Sequence, residues 1–137
     1  MSHTTLITKL NEQLNREVST FLRYMRQGAA IKGEQHETVR SMYLAEVADE
    51  VGHAQFLTNQ IATLGGTPQL QPDLGPHPDQ VAEMLRADIA AEAEDVKNYA
   101  ALAKLAEEAG LYALKQTMED QATDEDNHRQ KMERMLG

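Results

Sequence analysis

"DEVGH" at 49–53 and "DEDNH" at 124–128 stand 75 residues apart, inside stretches that otherwise read as amphipathic helix. In each, a glutamate is followed three residues later by a histidine, so the two side chains share one helix face. The same shift of 75 superimposes Glu17 on Glu92, Tyr24 on Tyr99, Asp49 on Asp124, Glu50 on Glu125 and His53 on His128. A lone glutamate precedes its Glu-x-x-His partner by 33 residues in both halves, from Glu17 to Glu50 and from Glu92 to Glu125. The chain is thus two pseudo-repeats of one helical hairpin.

Working outward from these motifs, strand signals are absent and helical periodicity is nearly continuous. Leu6, Leu10, Leu14, Phe21, Tyr24, Gly28 and Ile31 recur at spacings of three, four or seven, which predicts a helix over about 4–32, with Gly33 as its stop. A second helix is expected over about 36–64, ending at "LGGTP". A third is expected over 78–109, with Pro78 in its first turn and Gly110 as its cap. The fourth covers 111–136. Connections as short as "GEQ" and "AG" make two antiparallel hairpins. Between them lie the 14 residues "GGTPQLQPDLGPHP". Extended, they reach ~46 Å, the length of a 30-residue helix. The expectation is all-α: one domain over 1–137, a four-helix bundle whose hairpins are joined by a long crossover, with Leu70 and Leu74 pressed against the bundle.

Each motif acid lies in an apolar stripe. Glu17 is flanked by Leu10, Leu14, Phe21 and Tyr24, and Glu92 by Leu85, Ile89, Val96 and Tyr99 at the same offsets. Glu50 has Tyr43, Val47, Ala54 and Leu57; Glu125 has Met118, Ala122 and Met132, with Arg129 the one polar neighbour. A helix turns such a stripe toward its partners. Four carboxylates and two imidazoles therefore meet at one level inside the bundle, where unpaired charge is costly and like charges repel. Two divalent cations balance four negative charges. The inventory, one Glu from each of two helices and one Glu-x-x-His from each of the others, resembles that of ferritin-like di-iron and di-manganese bundles.

Composition agrees with a cation-binding role without demanding it. With 22 acidic against 13 basic residues the net charge is −9, which repels nucleic acid and anionic membrane surfaces. No apolar run approaches the roughly 18 residues of a membrane span. The N-terminus has no basic segment leading into an apolar core, so a cytoplasmic location is expected. Cysteine is absent, which removes thiol chemistry.

Carboxylate and imidazole ligands suit iron or manganese, with zinc also able to bind. Two redox metals held together can each give one electron to the same oxidant, which predicts oxidation of Fe(II) by dioxygen or hydrogen peroxide. Tyr24 and Tyr99 are candidates to hydrogen-bond a carboxylate or donate an electron, Tyr99 fitting an ordinary buried tyrosine somewhat better. Asp49 and Asp124 are candidates to orient a histidine of a facing helix. His3, His36 and His77 receive no role, and the seven methionines read as core filler.

With these residues in hand, nearly the whole chain resembles the bacterioferritins: "LNREVSTFLRY", "DEVGHAQFL", "PQLQPDLG", "MLRADIAAEAEDVKNY" and "DEDNH" match in order and spacing. The resemblance implies a ferroxidase with two iron ions per subunit, serving iron detoxification or storage in a homo-oligomer of at least two subunits. It makes Glu17 and Glu92 the terminal ligands, Glu50 and Glu125 the bridging carboxylates, and His53 and His128 the ligands completing each site. Tyr24 matches the tyrosine beside that family's centre. Two positions depart from the pattern. Val51 replaces the methionine that binds haem in the bacterioferritins, so haem is not expected there, and Ala45 stands where some members carry an inner-surface histidine. The family also runs into a fifth helix, whereas this sequence stops nine residues after His128, which leaves a 24-subunit shell open. A smaller di-iron or di-manganese oxidase, peroxidase or catalase would use the same six ligands, and a non-catalytic helical assembly protein with a spectator metal is the third reading.

Overall fold

A computed structural model describes residues 3–137. Its elements are α1 (Thr4–Ala30), a single 3-10 turn (Glu34–His36), α2 (Glu37–Thr63), α3 (Val81–Glu108) and α4 (Tyr112–Leu136). Four helices and no strand are present among the described residues, as the periodicity predicts. Arg16 of α1 pairs with Asp95 of α3, and Arg23 with Asp88, so rising numbers in one helix meet falling numbers in the other. α1 and α3 are therefore antiparallel. His53 with Asp124 and His128 with Asp49 give the same result for α2 and α4. These orientations require α2 and α3 to run parallel, which only a connection spanning the bundle's length allows.

The crossover is held in a way the sequence reading did not anticipate. Leu70 is 64% exposed and does not anchor it, whereas Leu74 is half-buried beside Arg23, Gln27 and Ala91. Asn11, Asn15 and Ser19, one turn apart on α1, grip its backbone. Asn11 Nδ2 donates to the Thr67 carbonyl (3.2 Å) and its Oδ1 accepts from Gln69 N (2.8 Å). Asn15 repeats the pair one step on, with Gln69 O (3.0 Å) and Gln71 N (2.5 Å), and Ser19 Oγ accepts from Asp73 N (2.9 Å). Two extended residues advance about 6.6 Å and four helical residues about 6 Å, so an Asn-x-x-x-Asn-x-x-x-Ser stripe keeps step with every second crossover residue. The need for reach also explains the third helix's start. Pro78 remains in the extended segment, and α3 begins at Val81 after an extended Gln80. A helical 78–80 would shorten the span by about 5 Å, since each residue would advance about 1.5 Å instead of about 3.3 Å.

Helix ends follow local chemistry. Gly110, at φ +75°, closes α3 with its N–H on Glu107 O and Leu111 N–H on Ala106 O, the paired bonds of a left-handed glycine cap. α1 stops at Ala30; Gly33, at φ +98°, then turns the chain into α2. The apolar core is split in two. One cluster around Leu10, Leu57, Leu102 and Met118 fills one end; a second around Tyr43, Met84, Leu85 and Met132 fills the other. Between them lies a polar layer. Of the methionines, Met42, Met84, Met118 and Met132 are buried as filler, but Met25 is 50% exposed; Met1 lies outside the described residues.

Candidate metal centre

The layer between the two apolar clusters contains the six motif residues. Glu17, Glu50, His53, Glu92, Glu125 and His128 come from four different helices, and all are buried. Their ligand atoms form two overlapping groups, Glu17–Glu50–His53–Glu125 and Glu50–Glu92–Glu125–His128, each with all atoms within 4.8 Å of one another. Glu50 and Glu125 belong to both groups, the position of bridging carboxylates. His53 Nδ1 lies 3.2 Å from Glu125 Oε1 and 3.6 Å from Glu17 Oε2; His128 Nδ1 lies 3.0 Å from Glu50 Oε1 and 3.8 Å from Glu92 Oε2. The pseudo-repeat of the sequence has become a pseudo-twofold arrangement of side chains. His3, His36 and His77 fall outside both groups.

The second atom of each terminal group is already occupied. Tyr24 Oη donates to Glu92 Oε1 (2.5 Å), and Tyr99 Oη to Glu17 Oε1 (3.0 Å), so Tyr99 is a partner of the centre rather than a bystander. Each histidine turns Nε2 to an aspartate of the facing helix: His53 to Asp124 (3.1 Å) and His128 to Asp49 (3.2 Å). That contact fixes the tautomer and aims Nδ1 inward. What remains is orphaned. Glu17 Oε2, Glu92 Oε2, both oxygens of Glu50 and Glu125, and Nδ1 of both histidines are buried with no hydrogen-bond partner. Buried polar atoms normally have partners. Eight such atoms facing one space, six oxygens and two nitrogens, are the donor set of two divalent cations.

The electrostatics describe the same demand. Burial drives the Glu50 carboxyl well above its usual range, and the charges of Glu17 and Glu125 add to the rise. Burial also lifts Glu92, with Glu125 reinforcing it. Burial opposes ionisation of Glu17 too, but the neighbouring Glu50 carboxyl and His53 imidazole, with the Tyr99 hydroxyl, outweigh it and leave its pKa lowered. For His53, burial alone would favour the neutral ring; Glu125 and Glu17 overcome it and raise the pKa to about 11. Without metal the cluster retains protons where cations fit.

Around this core stand further polar residues outside the repeated motifs. Asp95 accepts from Arg16 Nε (2.6 Å) and from Gln13 Nε2 (3.1 Å), and Gln13 also donates to Glu17 (3.0 Å). At the other end Asp88 accepts from Gln27 (2.8 Å), Tyr43 (2.7 Å) and Arg23 (3.1 Å). Glu46 is 2% exposed and has both oxygens unpartnered in hydrogen bonds, with His128 Nδ1 and Lys131 Nζ each 3.9 Å away. The signal for these residues was available in the spacing. Asp88, Asp95 and Glu46 sit four before, three after and four before a motif glutamate, on its helix face.

Comparison with known proteins matches the ferritin-like domain over residues 7–137. The chain belongs to the ferritin-like family. It is also similar to a ferritin-like di-iron-carboxylate protein from Bacillus anthracis solved by crystallography, with 33% identity over 100% of both chains and a TM-score of 0.96. Ferritin-like architecture is what the split core and the parallel α2 and α3 provide, and the buried carboxylate–histidine cluster marks this member as a candidate two-metal protein. No helix among the described residues is long and apolar enough to cross a membrane.

Glu46 has a consequence for stability. Burial lifts its pKa from 4.5 to about 7, despite the opposing pull of His128 and Lys131. A raised acid holds its proton in the folded state after the unfolded chain has released it. Its contribution to folding stability is therefore full below about 4.5 and falls as pH climbs to 7. Glu46→Gln removes this dependence, and its repeat counterpart is already Gln121, itself buried. The metal-free variant is expected to exceed the parent by on the order of 2 kcal/mol at neutral pH and to match it near pH 4.5. Urea unfolding at both pH values measures the difference.

Proposed function

We propose that this ferritin-like protein is a bacterioferritin-like ferroxidase, oxidising Fe(II) to Fe(III) with dioxygen or hydrogen peroxide at a dinuclear centre, for iron detoxification or storage. The eight orphaned donor atoms carry the reading, because they suit two ions sharing two carboxylates. Glu17 and Glu92 are the terminal ligands, Glu50 and Glu125 the bridges, and His53 and His128 complete one ion each. Bound iron supplies one electron per ion to the oxidant. The protein's own contribution is geometric and electrostatic. Asp49 and Asp124 hold the imidazoles, Tyr24 and Tyr99 hold the terminal carboxylates, and the two apolar clusters close the layer above and below. Val51 leaves no methionine for haem at the bacterioferritin position.

Aerobic addition of Fe(II) to the metal-free protein tests the proposal. The expected result is a fast phase of oxygen or peroxide consumption that saturates at about two irons per subunit. A parent protein that oxidises Fe(II) no faster than buffer would sink it. Elution mass of the same sample separates a storage shell from a small oligomer.

A further inference from the structure

The repeat makes the two halves of the centre alike in most contacts. Each terminal glutamate accepts from a tyrosine, and each histidine turns Nε2 to an aspartate. The flanking acids are neutralised in both halves, Asp95 by Arg16 (2.6 Å) and Asp88 by Arg23 (3.1 Å). Four residues before the bridging glutamate the likeness ends. There α2 carries Glu46 and α4 carries Gln121, both buried. An acid therefore stands on one side where a neutral amide stands on the other.

Glu46 faces the centre. Its Oε2 lies 3.9 Å from His128 Nδ1, and Oε2 of Glu92, the proposed terminal ligand of that half, lies 3.8 Å from the same nitrogen. That nitrogen is the ring atom aimed inward, because Nε2 is turned to Asp49 (3.2 Å). Glu46 is not one of the four ligand residues grouped there, so it acts as an added charge beside them. Lys131 does not cancel it: Nζ stops 3.9 Å from Oε1, beyond hydrogen-bond reach, on a side chain 55% exposed. Glu46 itself is 2% exposed, so little solvent screens it, and its attraction for a neighbouring cation is much stronger than in water. Gln121 offers the ion at His53 no such charge.

We infer that Glu46 makes the two metal positions unequal, so that the ion at Glu92 and His128 binds first and more tightly and the ion at Glu17 and His53 follows. This rests on the two-metal centre of the ferroxidase reading and adds an order of filling to it. The tighter position stays occupied when Fe(II) is scarce. The weaker one then sets the Fe(II) concentration at which two-electron oxidation begins.

Titration of the metal-free protein with Zn(II), a diamagnetic probe of the same charge, tests the order. Calorimetry gives the two affinities, and the imidazole nitrogen resonances show which histidine is engaged. In the parent the first ion is expected to bind about tenfold more tightly than the second, with His128 Nδ1 responding ahead of His53 Nδ1. Glu46→Gln removes the charge, keeps the shape and matches the residue already present at Gln121. It should weaken the first step and bring the two affinities within about threefold. Gln121→Glu is the independent arm: it should strengthen the ion at His53, so that both histidines respond together. Equal affinities in the parent, His53 responding first, or a parental gap that persists in Glu46→Gln overturns the inference. Unequal Zn(II) binding in a parent that does not oxidise Fe(II) defeats the ferroxidase reading alone. A parent that takes up no pair of ions defeats the two-metal centre, and this inference with it.

Discussion

Glu92→Ala and His128→Ala are each expected to abolish fast Fe(II) oxidation, lowering the rate by at least ~100-fold, more than loss of a supporting contact typically costs. Both residues belong to one four-ligand group with Glu50 and Glu125. Removing Glu92 takes away the carboxylate held by Tyr24; removing His128 takes away the only nitrogen in that group and strands Asp49. The remaining group, around Glu17 and His53, keeps its own four ligands. Anaerobic Co(II) titration should therefore fall from two ions per subunit toward one, while two-electron oxidation, which needs both, is lost. Tyr112→Ser, at a tyrosine 68% exposed on the surface, serves as the control that changes neither. Variants that turned over iron at the parental rate would exclude these side chains from the chemistry.

Metal binding itself should produce the second large effect, a steep and pH-dependent stabilisation. The metal-free centre buries four carboxylates and restrains their repulsion by holding protons, including one on His53, whose pKa is raised to about 11. Ligands must lose their protons to bind metal, so uptake at pH 7 releases protons and affinity falls as pH is lowered. The sign for His53 alone is definite. Its proton stabilises the metal-free fold fully below about 6.5 and ceases to do so as pH rises through 11, so at neutral pH that proton is present and must leave. At a thousandfold excess over the dissociation constant, each bound ion contributes about 4 kcal/mol. For a domain of this size that raises the melting temperature by about 10 °C or more per ion. Differential scanning calorimetry with and without Mn(II), paired with proton release in weak buffer, makes the measurement. Uptake without proton release, or an unchanged melting temperature, would contradict this account of the centre.

The repeat made much of the site legible. The six motif residues and the inward face each occupies follow from spacing, because a helix converts i, i+3 and i+4 directly into a shared face; their division into terminal and bridging positions came from the resemblance to the bacterioferritins. Helix number and hairpin pairing follow for the same reason, with ends displaced by a few residues at Ala30 and Val81. What spacing along one helix does not contain is the identity of the side chain opposite. Tyr99 looked like an ordinary core residue until Glu17 of another helix was placed 3.0 Å from its hydroxyl. Spacing puts Asp88 and Asp95 on the motif face of α3, but their partners Gln27 and Gln13 come from the antiparallel α1.

The crossover shows the division most clearly. Its length alone implied that it runs the height of the bundle, since chain reach is a property of residue number. How it is held depended on where α1 presents Asn11, Asn15 and Ser19, and hydrophobic patterning pointed instead to Leu70, which the structure leaves in solvent. Local periodicity thus determined the helices and the residues they turn inward, because those depend on backbone geometry within a few turns. The orphaned donor atoms, the Gln13–Asp95 contact and the grip on the crossover were decided by tertiary packing, because each depends on atoms brought together from distant parts of the chain.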